Sequence, residues 1–187
     1  DWSSDVCSSD LACPASRRKS VVNHRVRTKL WKFIFAGAWL VWLLDYLTKQ
    51  WALNALPGKS VKVLGSFLQL QLTYNTGAAF GLGAKNGSIA LGLFAITTSC
   101  VVVYYAPFLT SKGWSTVFAL VLGGALGNLT DRAFNEPRLL RGPVTDWLVL
   151  PNWPNFNLAD TAIVIAALLA FALSLRNITP IEVRRGA

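Results

Sequence analysis

The sequence predicts a mainly α membrane protein: four transmembrane helices, a small extracytoplasmic β-sheet, and an outer loop carrying part of a candidate active site. Three observations lead there. The 187-residue chain is 53% hydrophobic and only 14% charged, with a mean hydropathy of +0.42, a balance unlike that of a soluble domain. Four apolar segments, residues 31–53, 88–109, 114–131 and 158–175, each approach the ~20 residues that a spanning helix needs. The second and fourth lack the polar stripe of period 3.6 that a helix of a soluble bundle shows.

The net charge of +9 raises the question of nucleic acid. The basic residues flank apolar segments instead of forming a stripe, so topology and anionic lipid headgroups account for them, and no nucleic-acid partner is expected. Eleven of the eighteen fall on one side: seven between Arg17 and Lys32, then Lys112, Arg176, Arg184 and Arg185. The remaining seven fall in the two long loops and at their borders. This bias predicts cytoplasmic N- and C-termini and both long loops outside.

Taken in order, residues 1–11 (DWSSDVCSSDL) match a translated sequencing adapter and are set aside from fold reasoning. Residues 1–30 as a whole are expected to be a disordered basic tail. The membrane domain is expected at 31–175 and a cytoplasmic tail at 176–187. In helix one, Asp45 and Lys49 stand at i and i+4, a spacing that favours an ion pair fixing the helix end.

The first outer loop, residues 54–87, contains KSVKVLGSFLQLQLTYN. Its alternation and β-branched residues predict strands, with SFLQLQLTYN as one of them. NTGAAFG, residues 75–81, follows. It reads either as a turn closing the sheet or as a lip that holds an extended peptide through main-chain groups, with Asn75 and Gly77 as contacts. Helix three ends in GGALGNLTDR, residues 123–132. Gly123 and Gly127 form a GxxxG pair for close helix approach. Packing explains the glycines but not Asn128, Asp131 and Arg132 emerging together. Asp131 beside Arg132 invites local neutralisation, and Arg132 is expected to hold a substrate carbonyl or a loop.

Cysteine and histidine exclude several chemistries. Cys7, Cys13 and Cys100 have no CxxC spacing, and His24 is the only histidine. No metal site, cofactor, Ser-His-Asp triad or HExxH motif is expected. What remains is carboxylate chemistry. Asp146 lies among Val144, Trp147 and Leu148 with no adjacent base, and Asp160 begins an apolar helix after Asn157. Asp160 also fits a helix first-turn acid, but capping leaves the apolar Asp146 unexplained. Ionisable groups at membrane depth mark functional sites. Two carboxylates held together in a low dielectric share one proton, which suits aspartyl hydrolysis.

Five blocks occur together: DYLTK (45–49), NTGAAFG (75–81), GGALGNLTDR (123–132), VTDW (144–147) and FNLADTA (156–162). In this order they resemble the lipoprotein signal peptidase, or signal peptidase II, family, and the basic tail resembles that of actinobacterial members. The resemblance implies a bacterial inner-membrane aspartic endopeptidase. Its substrates would be diacylglyceryl-modified prolipoproteins, cut before the lipidated cysteine near the outer membrane face. The catalytic aspartates of the family map to Asp146 and Asp160. Asn75, Asn128, Arg132 and Asn157 match polar residues lining the substrate site, and Asp45, Lys49 and Asp131 match supporting residues. Residues 133–145 form a longer connection than in many members, and Thr145 replaces a usually apolar residue. The expected partners are the lipidated signal peptide and membrane lipids, with the protein a monomer. The competing readings are a proton-coupled transporter using the same carboxylates, a scaffold subunit paired through GxxxG, and a Ser–Lys peptidase using Lys49.

Overall fold

The computed structural model describes residues 24–25, 28–77 and 83–184. Residues 1–23, with the adapter-like stretch and most of the basic tail, lie outside the described residues. So do residues 26–27, 78–82, which hold most of NTGAAFG, and 185–187.

Four helices carry the architecture: α1 (Leu30–Ala55), α2 (Gly83–Tyr105), α3 (Lys112–Phe134) and α4 (Leu158–Leu175). A 3₁₀ turn, Ala106–Phe108, with Pro107 in its opening positions, follows α2. At 1.5 Å per residue the 26 residues of α1 extend about 39 Å, more than the ~30 Å of a bilayer's hydrocarbon core. All four helices are long and apolar enough to span a membrane. Their outer surfaces are those of a membrane protein: Trp39, Phe94, Leu168 and Phe171 point outward and are mostly exposed, and Cys100 is exposed on the same kind of surface.

Helix α3 packs against α1, α2 and α4, and its glycines set the approach. A Cβ on Gly123 would lie 2.7 Å from the Ala38 carbonyl oxygen of α1, and one on Gly124 2.6 Å from the Ala159 carbonyl oxygen of α4. One on Gly127 would lie 2.5 Å from Asp45 Oδ2. The expected GxxxG pair therefore faces α1 inside the chain, and the adjacent Gly124 admits α4.

A three-stranded antiparallel sheet caps one end of the bundle in the order β2 (Ser60–Leu64), β3 (Leu68–Asn75), β4 (Val144–Val149). The expected strand 66–75 starts two residues later, because Leu64–Phe67 forms a turn around Gly65 at φ +57°. Strand β4 was not anticipated: the VTDW block sits on a strand, not in an irregular loop. At the other end, β1 (His24–Arg25) pairs with β5 (Val183–Arg184). The segment expected as a disordered tail is therefore paired here. Thr28 extends the tie, donating its N–H to Pro107 O and its hydroxyl to Leu109 O.

Candidate active site

The site lies where α1, α3, β4 and α4 meet at the sheet end of the bundle. Strand β4 brings Asp146 opposite Thr73 of β3. Between the pairs Leu70–Leu148 and Thr73–Asp146 the register shifts by one residue, a bulge that re-aims the strand. The chain then turns back on itself. Leu148 and Phe156 exchange backbone hydrogen bonds at 2.9 and 3.0 Å, which returns Asn157 to Asp146 and starts α4 there.

Asn157 joins the two aspartates. Its Nδ2 donates to Asp146 Oδ1 at 2.7 Å, and its backbone N–H donates to Asp160 Oδ2 at 3.3 Å. Its Oδ1 accepts from the Asp160 N–H at 3.0 Å, completing a capping box. Asp160 is thus both the first-turn cap and a member of the site. Its Oδ1 also accepts from Asn128 Nδ2 at 2.7 Å.

Asn128 links this pair to a second cluster. Its Oδ1 accepts from Asn157 Nδ2 at 3.1 Å and from Lys49 Nζ at 3.3 Å. Lys49, fully buried, lies 2.7 Å from Asp45 Oδ2 and 3.0 Å from Asp131 Oδ2. Asp45 Oδ1 accepts the Ala159 N–H at the start of α4, and Asp131 Oδ2 accepts the Thr145 N–H at the start of β4. The lysine therefore neutralises carboxylates that tie down both chain segments bearing the aspartate pair. Asp131 was expected to pair with Arg132; its partner is Lys49, because a helix turns adjacent side chains to different faces.

Burial and the nearby Asp160 charge push the Asp146 carboxyl from 3.8 up to about 7, while the Asn157 and Asn75 amides and the Lys49 charge pull the other way. Asp146 is 1% exposed, and its Oδ2 has no hydrogen-bond partner among the described residues. A buried carboxyl oxygen without a donor favours the protonated form.

Asn75 and Gly77 close the β3 side. The Gly77 N–H donates to Asn75 Oδ1 at 2.9 Å. Gly77 has φ +76°, a left-handed conformation suited to glycine, and its Cα region abuts Gly87 of α2. Arg132 reaches Ser88 of α2, donating from Nη1 to Ser88 Oγ at 2.7 Å. Ser88 was not identified from sequence. It is wholly buried, donates to Leu140 O at 2.9 Å and lies 3.2 Å from Gly142 O. Its signal is faint: one hydroxyl between Gly87 and Gly92 at the start of an apolar helix. Asp146, Asp160, Asn128 and Asn157 thus converge; Asp45, Lys49 and Asp131 form the adjoining support; Arg132 holds the loop before β4.

The family described as signal peptidase (SPase) II matches residues 37–176. The lipoprotein signal peptidase of Leifsonia xyli subsp. xyli is 44% identical over 140 residues, covering 74% of this chain and 64% of that protein. The chain thus spans just under two thirds of the length of that relative. The lipoprotein signal peptidase of Rhodococcus jostii is 40% identical over 166 residues, covering 88% and 81%. That of Mycobacterium leprae is 38% identical over 145 residues, covering 77% and 72%. A solved structure of a bacterial membrane enzyme superposes with a TM-score of 0.70 at 24% identity, over 82% of this chain and 99% of that one. Its helices and sheet are therefore of the same fold. This multi-pass bacterial membrane chain belongs to the signal peptidase II family, a family of aspartic peptidases.

Proposed function

We propose that this protein removes signal peptides from diacylglyceryl-modified prolipoproteins, with Asp146 and Asp160 as a catalytic pair sharing one proton. The observation that carries the assignment is Asn157, whose side chain and backbone hydrogen-bond both carboxyls at once. Asp146, raised to about 7 by burial and the nearby Asp160 charge, is the proton holder. Asp160, with both oxygens accepting N–H donors, is the base. It takes a proton from a water whose oxygen attacks the scissile carbonyl carbon. Asp146 donates its proton to the carbonyl oxygen. As the tetrahedral intermediate collapses, Asp160 passes its proton to the amine nitrogen, the C–N bond breaks, and a hydroxyl proton of the intermediate returns to Asp146. Neither step needs a metal or cofactor.

Asn75 and Gly77 offer main-chain and amide contacts to an extended peptide. Asn128 and Asn157 orient the carboxyls, and Asp45, Lys49 and Asp131 hold the segments that bear them. Both termini lie in the cytoplasm and the pair faces the outer side. The meeting of β1 with β5, at the end of α1 remote from the sheet, supports this arrangement. The enzyme works as a monomer of one membrane domain, residues 31–175, with its apolar outer face in lipid.

The test is cleavage of a lipidated prolipoprotein by purified protein in detergent, beside the unlipidated precursor and the Asp146→Asn variant. Cleavage of the lipidated form only, lost in the variant, is the expected result. Turnover by Asp146→Asn at the wild-type rate would remove Asp146 from the mechanism.

A further inference from the structure

Arg132 is a buried cation surrounded by acids that it does not pair with. It is 4% exposed, and Asp146, Asp160 and Asp131 all lie within its electrostatic reach. Yet among the described residues no carboxylate oxygen comes within 4 Å of it; the nearby ion pairs belong to Lys49. Its side-chain hydrogen bond goes instead to a neutral hydroxyl, Ser88 Oγ at 2.7 Å. Buried guanidinium groups ordinarily seek carboxylates, so something sets this one elsewhere.

Ser88 is built to do so. Its hydroxyl has one proton, which goes to the loop carbonyls, with Leu140 O at 2.9 Å and Gly142 O at 3.2 Å. The oxygen therefore turns its lone pairs to Arg132. Leu140 is itself fixed. Its backbone has φ +65°, a conformation that costs a leucine about 1–2 kcal/mol. Its side chain covers Gly92, where a Cβ would come within 3.0 Å of Leu140 Cβ. The Gly142 N–H donates to Arg132 O at 3.1 Å. Serine, loop and arginine thus lock one another, and the loop runs directly into β4 and Asp146.

We infer that Ser88 is a positioning residue that holds Arg132 off the aspartate pair, so that no ion pair forms with Asp146 and its carboxyl remains the proton donor. The inference rests on the peptidase reading proposed above. The charged groups within electrostatic reach of Asp146 are Asp160 of α4, Lys49 of α1 and Arg132 of α3; Lys49 is already engaged by Asp45 and Asp131. Arg132 is the one cation of this set free to move when its serine is lost. Asp146 Oδ2, which no donor meets in hydrogen-bond geometry among the described residues although the Asn75 amide acts on the same carboxyl, is the acceptor it would find.

Ser88→Ala tests this, with Ser88→Cys, which keeps the volume but accepts poorly, as the milder change. In Ser88→Ala, an ion pair to Asp146 lowers the high-pH limb of kcat by about one pH unit or more, and kcat near neutral pH falls about tenfold or more. KM changes less, and Ser88→Cys falls between. Infrared titration reads the same event without turnover. The protonated-carboxyl band that disappears in Asp146→Asn is expected to titrate at lower pH in Ser88→Ala. A folded Ser88→Ala whose limb and band titrate as in wild type overturns the inference, whatever its kcat. Should wild type fail to cleave lipidated substrate while the band still moves, the peptidase reading falls and the Ser88–Arg132–Asp146 coupling stands.

Discussion

Two buried carboxylate clusters share Asn128 and differ in one respect. In the first, Asp45 and Asp131 flank Lys49 at 2.7 and 3.0 Å. In the second, Asp146 and Asp160 flank Asn157, a neutral amide. The amide supplies hydrogen bonds but no charge. In the first cluster Lys49 offsets one of the two carboxylate charges, and the carboxylates hold α4 and β4 in place through the Ala159 and Thr145 N–H groups. The second has no cation between its carboxylates, and Asp146 keeps a proton. The same residue type serves as a fastener or as an acid according to whether its bridge carries charge.

Breaking the second cluster has the largest expected effect. Asp146→Asn or Asp160→Asn lowers turnover of lipidated substrate by about 10³-fold or more, on the scale of a lost general acid or base. At about pH 4 the Asp146→Asn protein has the wild-type melting temperature in detergent, because an amide there replaces a protonated acid of the same shape. Breaking the first cluster has the opposite signature. Lys49→Met leaves two buried carboxylates unneutralised and costs about 3–5 kcal/mol of stability, read as a lower Tm and yield. If Lys49→Met kept its Tm while losing turnover, the lysine would belong to the chemistry and the contrast would fail. Gly127→Ala is milder. Its Cβ would press on Asp45 Oδ2 from 2.5 Å, an overpacking of about 1–3 kcal/mol, with cleavage by the folded fraction little changed.

The two clusters were not equally legible in the sequence. The helices announced themselves because apolar length is a local property: α4 spans the expected residues 158–175, and the other three depart by a few residues. The Asp45–Lys49 pair was legible for the same reason, since i and i+4 share a helix face. Its third member, Asp131, was grouped with them only through the family resemblance, not by spacing. Asp131 reaches Lys49 only because Gly123 and Gly127 draw α3 against α1, and adjacency in sequence pointed wrongly to Arg132. Strand β4 was hidden because its partner β3 lies about 70 residues earlier, and non-local pairing leaves little trace in a six-residue segment. Ser88 was hidden for a related reason: what makes it notable is the loop carbonyl of Leu140, 52 residues away.

The finest test of the contrast is the pH dependence of stability. With Asp146 at about 7 when folded and 3.8 as an ordinary carboxyl, both states hold the proton below pH 3.8. Between 3.8 and about 7 the folded protein keeps it while the unfolded chain has released it. Stability contributed by this group is therefore complete below 3.8 and is lost as pH rises toward 7, at about 1.4 kcal/mol per pH unit. Above 7 both states are ionised and the contribution stays flat. Over the practical interval from pH 6 to 7, wild type is expected to lose about 1 kcal/mol more than Asp146→Asn, seen as converging thermal midpoints toward low pH and diverging ones toward neutrality. Parallel midpoints for the two proteins would mean that Asp146 is ionised throughout. Asn157 would then be bridging two charges, and the lysine-bridged cluster would no longer differ from its neighbour in the way that makes one structural and the other catalytic.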